Sequence, residues 1–165
     1  MINKMKLALA GAVIATGMVS NAAYAATEQA NATVDVLAAV QINVIDTLDF
    51  GVVAASAAGG TVTIGTGSNT PTASGVTAIS GGSRGSFQVT QATNGETIAL
   101  SASNPTPLTS GANSIVLSGL ALSTSSIVYN SAALQTVYVG GTISLGASQP
   151  AGNYTGTFDV TADYQ

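Results

Sequence analysis

The sequence predicts an all-β domain, a Greek-key β-sandwich with a β-barrel as the alternative, and three observations carry that prediction. Short segments alternate apolar and polar residues with period two, and clusters of Gly, Asn, Pro or Ser separate them. Beyond the first 25 residues, no stretch carries an apolar stripe at helical spacing. The chain is rich in Thr, Ser, Gly, Ala and Val, and only 6% of it is charged. Sustained alternation distinguishes it from disordered chains of similar composition.

The N-terminus reads as an export signal. Lys4 and Lys6 precede an apolar run over residues 7–19, and Ala23-Tyr24-Ala25 supplies an A-x-A cleavage site. Thirteen apolar residues fall short of the roughly twenty that a membrane-spanning helix needs, so no anchor is expected. The expected division is 1–25 signal peptide, 26–38 N-terminal extension and 39–165 a single β-sandwich domain.

The next stretch, "ANATVDVLAAVQINVI" at residues 30–45, keeps every even position apolar as far as Val44. That is long for one strand, since about five or six residues is usual. Two readings stay open. Either one bent first strand serves both sheets of a closed domain, or Ala30, Ala32, Val34, Val36 and Ala38 form a segment that pairs elsewhere. In the second case Val40, Ile42 and Val44 begin the domain's own first strand.

Further along, "GTVTIG" sets Val62 and Ile64 on one face. "SFQVTQAT" and "ETIALSAS" flank Asn94-Gly95, a strong two-residue hairpin signal because both residues tolerate positive φ. In "SIVLSGLALS" the apolar phase shifts at Gly119, as a bulge requires. "TVYVGGTISLGA" keeps Val137, Val139, Ile143 and Leu145 in one phase across Gly140-Gly141. After the turn "PAGN", the last strand "YTGTFDVTADYQ" points Tyr154, Gly156, Phe158, Val160, Ala162 and Tyr164 one way. The count is seven to nine strands.

Chemistry is narrowed by absence. The sequence holds no His and no Cys, which rules out Ser-His-Asp and Cys-His nucleophile systems and imidazole or thiolate zinc sites. After the leader there is no lysine, and Arg84 alone faces seven carboxylates, a net charge of −6. Such a chain has no basic face for nucleic acid. Asp46 and Asp49 in "DTLDFG" read as turn and cap residues rather than a calcium loop. Asp159 and Asp163 read as solvated charges rather than a paired-acid site. No catalytic residue, metal ligand set or cofactor is expected.

"LDFG" at 48–51, the Gly140-Gly141 pair and "QPAGNYTGTFDVTADYQ" at 149–165 carry a family resemblance. They resemble a family of secreted bacterial domains of unknown function, itself similar to spore-coat-U-type and archaic chaperone–usher pilin subunits. Such pilins carry a penultimate tyrosine and a glycine fourteen places from the end, and Tyr164 and Gly152 occupy those places. The cysteine pair common in better-known pilins is missing.

The resemblance implies an immunoglobulin-like sandwich, incomplete and strand-complemented, that assembles head to tail with identical or related subunits. It implies a periplasmic chaperone and an outer-membrane usher as partners, and a route through the periplasm to a surface fibre. It assigns Ala30, Ala32, Val34, Val36 and Ala38 to the donor strand. It assigns Gly152, Tyr154, Phe158, Val160, Ala162 and Tyr164 to the C-terminal assembly strand. Burying the five donor side chains contributes on the order of 5–8 kcal/mol. The alternative function is a self-complete secreted module that binds a carbohydrate or a surface.

Overall fold

The computed structural model describes residues 27–165, so the expected signal peptide at 1–25 lies outside the described residues. The chain divides into a unit ending at Val34 and a compact unit, Asp35–Gln165. Residues 27–34 of the first unit are exposed and carry no regular secondary structure. The second unit is all-β, as predicted. Its strands are β1 (Gln41–Asp46), β2 (Val52–Ala54), β3 (Gly60–Ile64), β4 (Thr72–Ser74), β5 (Thr77–Ser80) and β6 (Gly85–Gln91). They continue as β7 (Thr97–Ser103), β8 (Leu108–Ser110), β9 (Asn113–Leu122), β10 (Ser126–Val128), β11 (Thr136–Leu145) and β12 (Asp159–Tyr164). The described residues thus form twelve strands rather than seven to nine, because β2, β4, β8 and β10 are pieces of only three residues.

The large antiparallel sheet is organised by β11. Its first part pairs with β6, its second part with β3, and β9 runs along its middle. β1 pairs with β6, β4 with β3 and β8 with β9. A smaller sheet has the order β10-β7-β12, and β2 pairs with β5. Val137, Val139, Ile143 and Leu145 of β11 are all buried, so the single phase read from the sequence holds across the glycine pair. A Cβ at Gly140 meets the Ile64 carbonyl, which is why glycine stands where β11 passes the end of β3. Val62 and Ile64 are fully buried on β3.

The bulge expected at Gly119 is present. Gly140 faces Ala121 while Thr142 faces Ser118, which leaves two residues of β9 opposite one of β11. Gly119 takes φ +59°, a left-handed value that glycine adopts without strain.

The hairpin expected at Asn94-Gly95 is not formed. β6 belongs to the large sheet and β7 to the small one, and the turn carries the chain across from one to the other. Gly95 takes φ +85° as read, but its N–H donates to the Tyr129 carbonyl at 2.9 Å. The reason lies in the core: Phe87 and Val89 of β6 and Ile98 and Leu100 of β7 bury against one another from opposing sheets. Burial of both rows outweighs a local preference for pairing. This facing of two curled sheets makes the fold sandwich-like.

The last strand is also shorter than expected. Pairing with β7 covers only Asp159 to Tyr164. Residues 154–157 lie instead along 106–109, through the Thr109–Thr155 bridge and the Thr106 N–H to Thr157 carbonyl bond. Asn104, at φ +50°, and Pro105, which has no N–H, interrupt the neighbouring strand and divide the ladder there.

Candidate functional site

Two edge strands border the same core from opposite sheets. Among the described residues β1 pairs only with β6, and β12 pairs only with β7. Residues directly opposite in an antiparallel ladder present their side chains on one face. Ile42 lies opposite Val89, and Val44 opposite Phe87, so both occupy core-facing positions. Phe87 and Val89 are each 1% exposed, whereas Ile42 is only half-buried and Val44 is 62% exposed. On the other sheet Ala162 and Tyr164 lie opposite the buried Leu100 and Ile98, and both remain half-buried. The core is therefore sealed on its inner strands and open along these two edges.

A cleft lies between the segments that adjoin these two strands. From β1 the chain runs into residues 47–55, and residues 149–158 lead into β12. These two segments form the walls of a hollow of about 530 Å³, floored by Ile115, Ile143 and Leu145. A second hollow of about 250 Å³ shares Leu48, Phe50 and Tyr154 with it and reaches Phe158. The motifs "LDFG" and "PAGN" thus face each other across the cleft.

Local bonds hold each wall. Asp49 Oδ1 accepts the Gly51 N–H at 2.9 Å, the capping role read from the sequence, and Asp49 and Ser83 exchange backbone hydrogen bonds. Ser86 donates to Asp46 at 2.6 Å. On the opposite wall the Tyr154 hydroxyl donates to the Pro150 carbonyl at 2.8 Å and accepts from Gln149 Nε2 at 2.9 Å. Gly152 stands against Ser110, whose Oγ lies where a Cβ would project.

The structure brings the proposed assembly residues together along one side. Gly152 and Tyr154 line the cleft, Phe158 joins the hollow to the core, and Val160, Ala162 and Tyr164 follow on β12. The alternation read over 154–164 matches the burial of every member except Gly156, which is exposed. The proposed donor residues behave differently. No strand forms between residues 27 and 40, and Val34 and Val36 are 82% and 85% exposed. A continuous first strand from Ala30 is therefore not observed.

Among the described residues, Ala38 is the first of that stretch tied down by hydrogen bonds. Its N–H donates to Thr93 Oγ1 at 2.8 Å, and its carbonyl accepts from the Tyr164 hydroxyl at 2.6 Å. From there β1 runs toward the cleft, and β12 returns from the cleft to Tyr164. The anchor at Ala38 and the cleft thus occupy opposite ends of the domain.

Two further charges, Asp159 and Arg84, have structural partners. Asn104 donates to Asp159 at 2.9 Å. The Arg84 guanidinium lies 3.4 Å above the Tyr138 ring and donates to the Thr66 carbonyl, an arrangement sequence reasoning missed because the partners are far apart in the chain. Among the described residues no group of three acidic side chains is placed to hold a metal ion.

A family model described as "Domain of unknown function (DUF4402)" matches residues 40–164. No curated protein and no solved structure matches the chain. The matched span begins two residues after Ala38 and ends at Tyr164.

Proposed function

Taking as premise that the chain belongs to the DUF4402 family of unknown function, we propose that it is a non-catalytic structural subunit of a secreted bacterial surface fibre, assembled by strand complementation. In this reading the sandwich is immunoglobulin-like and one strand short. Residues 30–36 of one subunit enter the groove of the next, between β1 and β12 and along the cleft beyond them, while Ala38, the last residue of the expected donor segment, stays bonded to Thr93 and Tyr164 of its own subunit. The chain is exported by its signal peptide, and a periplasmic chaperone and an outer-membrane usher handle the subunit before it joins the fibre.

The observation that supports this most is the exposure of Val44 at a core-facing position. An edge strand with unpaired N–H and C=O groups beside uncovered apolar surface is a site for strand addition. The same chain carries an exposed segment with apolar residues at every second position, the period a strand needs to present one face. The anchor at Ala38 and the cleft lie at opposite ends of the domain, and an extension rooted at one end that fills a neighbour's cleft at the other joins subunits head to tail. Head-to-tail contacts of that kind do not close and produce a fibre.

A second reading has one specific observation in its favour. Asp49, Gln149 and Asn153 stand in the cleft beside Phe50 and Tyr154, a mixture of polar and aromatic groups that suits a carbohydrate. In that case the domain is complete and binds its ligand as a monomer.

The test is periplasmic expression of the full chain and of a chain starting at Leu37 after the signal peptide. The shorter chain retains Ala38 and its bonds. The fibre reading expects ladders resistant to mild SDS from the full chain and their loss on truncation. Two stable monomers contradict it, and saturable binding of a soluble glycan by both then favours the second reading.

A further inference from the structure

One hydroxyl group joins the edge strands of the two sheets. The Tyr164 OH accepts the Thr93 N–H at 2.7 Å and donates to the Ala38 carbonyl at 2.6 Å, while the Ala38 N–H donates to Thr93 Oγ1 at 2.8 Å. A phenol has one proton and two lone pairs, and both functions are engaged here. Val36, two residues before Ala38, is 85% exposed, and β1 begins three residues after it. Among the described residues, hydrogen bonding from the exposed segment into the domain therefore begins at Ala38. Beyond it, β1 is held by β6 of the large sheet, while Tyr164 belongs to β12 of the small sheet.

We infer that Tyr164 is a positioning residue: its hydroxyl fixes the root of the exposed segment to both sheets at once, through Ala38 and Thr93. The inference rests on the strand-donor reading and deepens it. In a head-to-tail fibre, tension leaves each subunit through its own extension. With the root clamped, that tension divides between the β1–β6 and β12–β7 ladders. Without the clamp it falls on β1 alone, an edge strand that can peel away bond by bond. The ring itself packs on the core beside Val160 and Ala162, so the hydroxyl and the ring have separable roles.

The experiment uses the full chain with Tyr164→Phe, which keeps the ring, and Thr93→Val, which keeps the shape but removes Oγ1. Amide hydrogen exchange and SDS-ladder length are measured on both. The Thr93 amide in Tyr164→Phe and the Ala38 amide in Thr93→Val each lose their acceptor and are expected to exchange about fivefold to tenfold faster, with the Leu100 amide unchanged and the ladders shortened. Unchanged protection of Thr93 in Tyr164→Phe overturns the anchor. Faster exchange with ladders of full length overturns its role in carrying tension. A wild-type chain that forms no ladder overturns the strand-donor reading instead, whatever the exchange rates.

Discussion

Val44 and Phe87 face each other across one ladder, yet the first is 62% exposed and the second 1%. The difference separates what holds the domain together from what the proposed incoming strand would cover. Phe87→Ala in the chain starting at Leu37 removes a fully buried ring and is expected to cost about 3–5 kcal/mol in chemical denaturation. Val44→Thr in the same chain changes little that is buried and is expected to stay within about 0.5 kcal/mol. In the full chain the fibre reading expects the same Val44→Thr to act on assembly. It puts an unpaired hydroxyl under the incoming strand at a cost of about 1–3 kcal/mol, so ladders dissociate at lower temperature than those of the wild type. Equal loss of domain stability in both variants means that Val44 is already covered.

Among the elements, β7 and β12 make the sharpest contrast. β7 has neighbours on both sides, while β12 has one. Amides of β12 that point away from β7 are expected to exchange at least tenfold faster than those of β7, because only the latter have partners within the sheet. Equal protection along both edges of β12 indicates a strand already in place there. Truncation to Leu37 is expected to leave the thermal midpoint within about 2 °C, since residues 27–36 are all exposed and changes at exposed positions alter stability only slightly.

The same elements tell how far the sequence could be read. Wherever burial follows local alternation, as at Val62 and Ile64, along β11, at the Gly119 bulge and on β12, the pattern was legible. The turn at Asn94-Gly95 was legible as a turn, but not as a crossing between sheets. Turn residues report local φ, whereas sheet membership depends on which distant rows share a core. Residues 154–158 read as strand because they alternate, and their separate partner at 106–109 followed from Pro105 and Asn104, far away in the chain. Of the residues lining the cleft, Gly152 and Tyr154 lie in a turn and an alternating stretch that the sequence marks. The cleft itself was not legible, because its floor of Ile115, Ile143 and Leu145 comes from strands with no local mark of an opening.

On the scale of the whole molecule, the proposed sandwich lacks a strand that a second copy of the chain supplies. A closed domain and an open one of equal fold differ in a single thermodynamic respect. Only the open one is stabilised by an added strand, through mass action. The direct measurement is thermal unfolding of the chain starting at Leu37 against increasing amounts of a peptide of residues 29–38. The account predicts a midpoint that climbs with peptide concentration, on the order of 10 °C at a hundredfold excess over Kd, and no shift for a peptide carrying Val34→Asp and Val36→Asp. A midpoint unmoved by millimolar wild-type peptide contradicts it and leaves the sandwich complete as it stands.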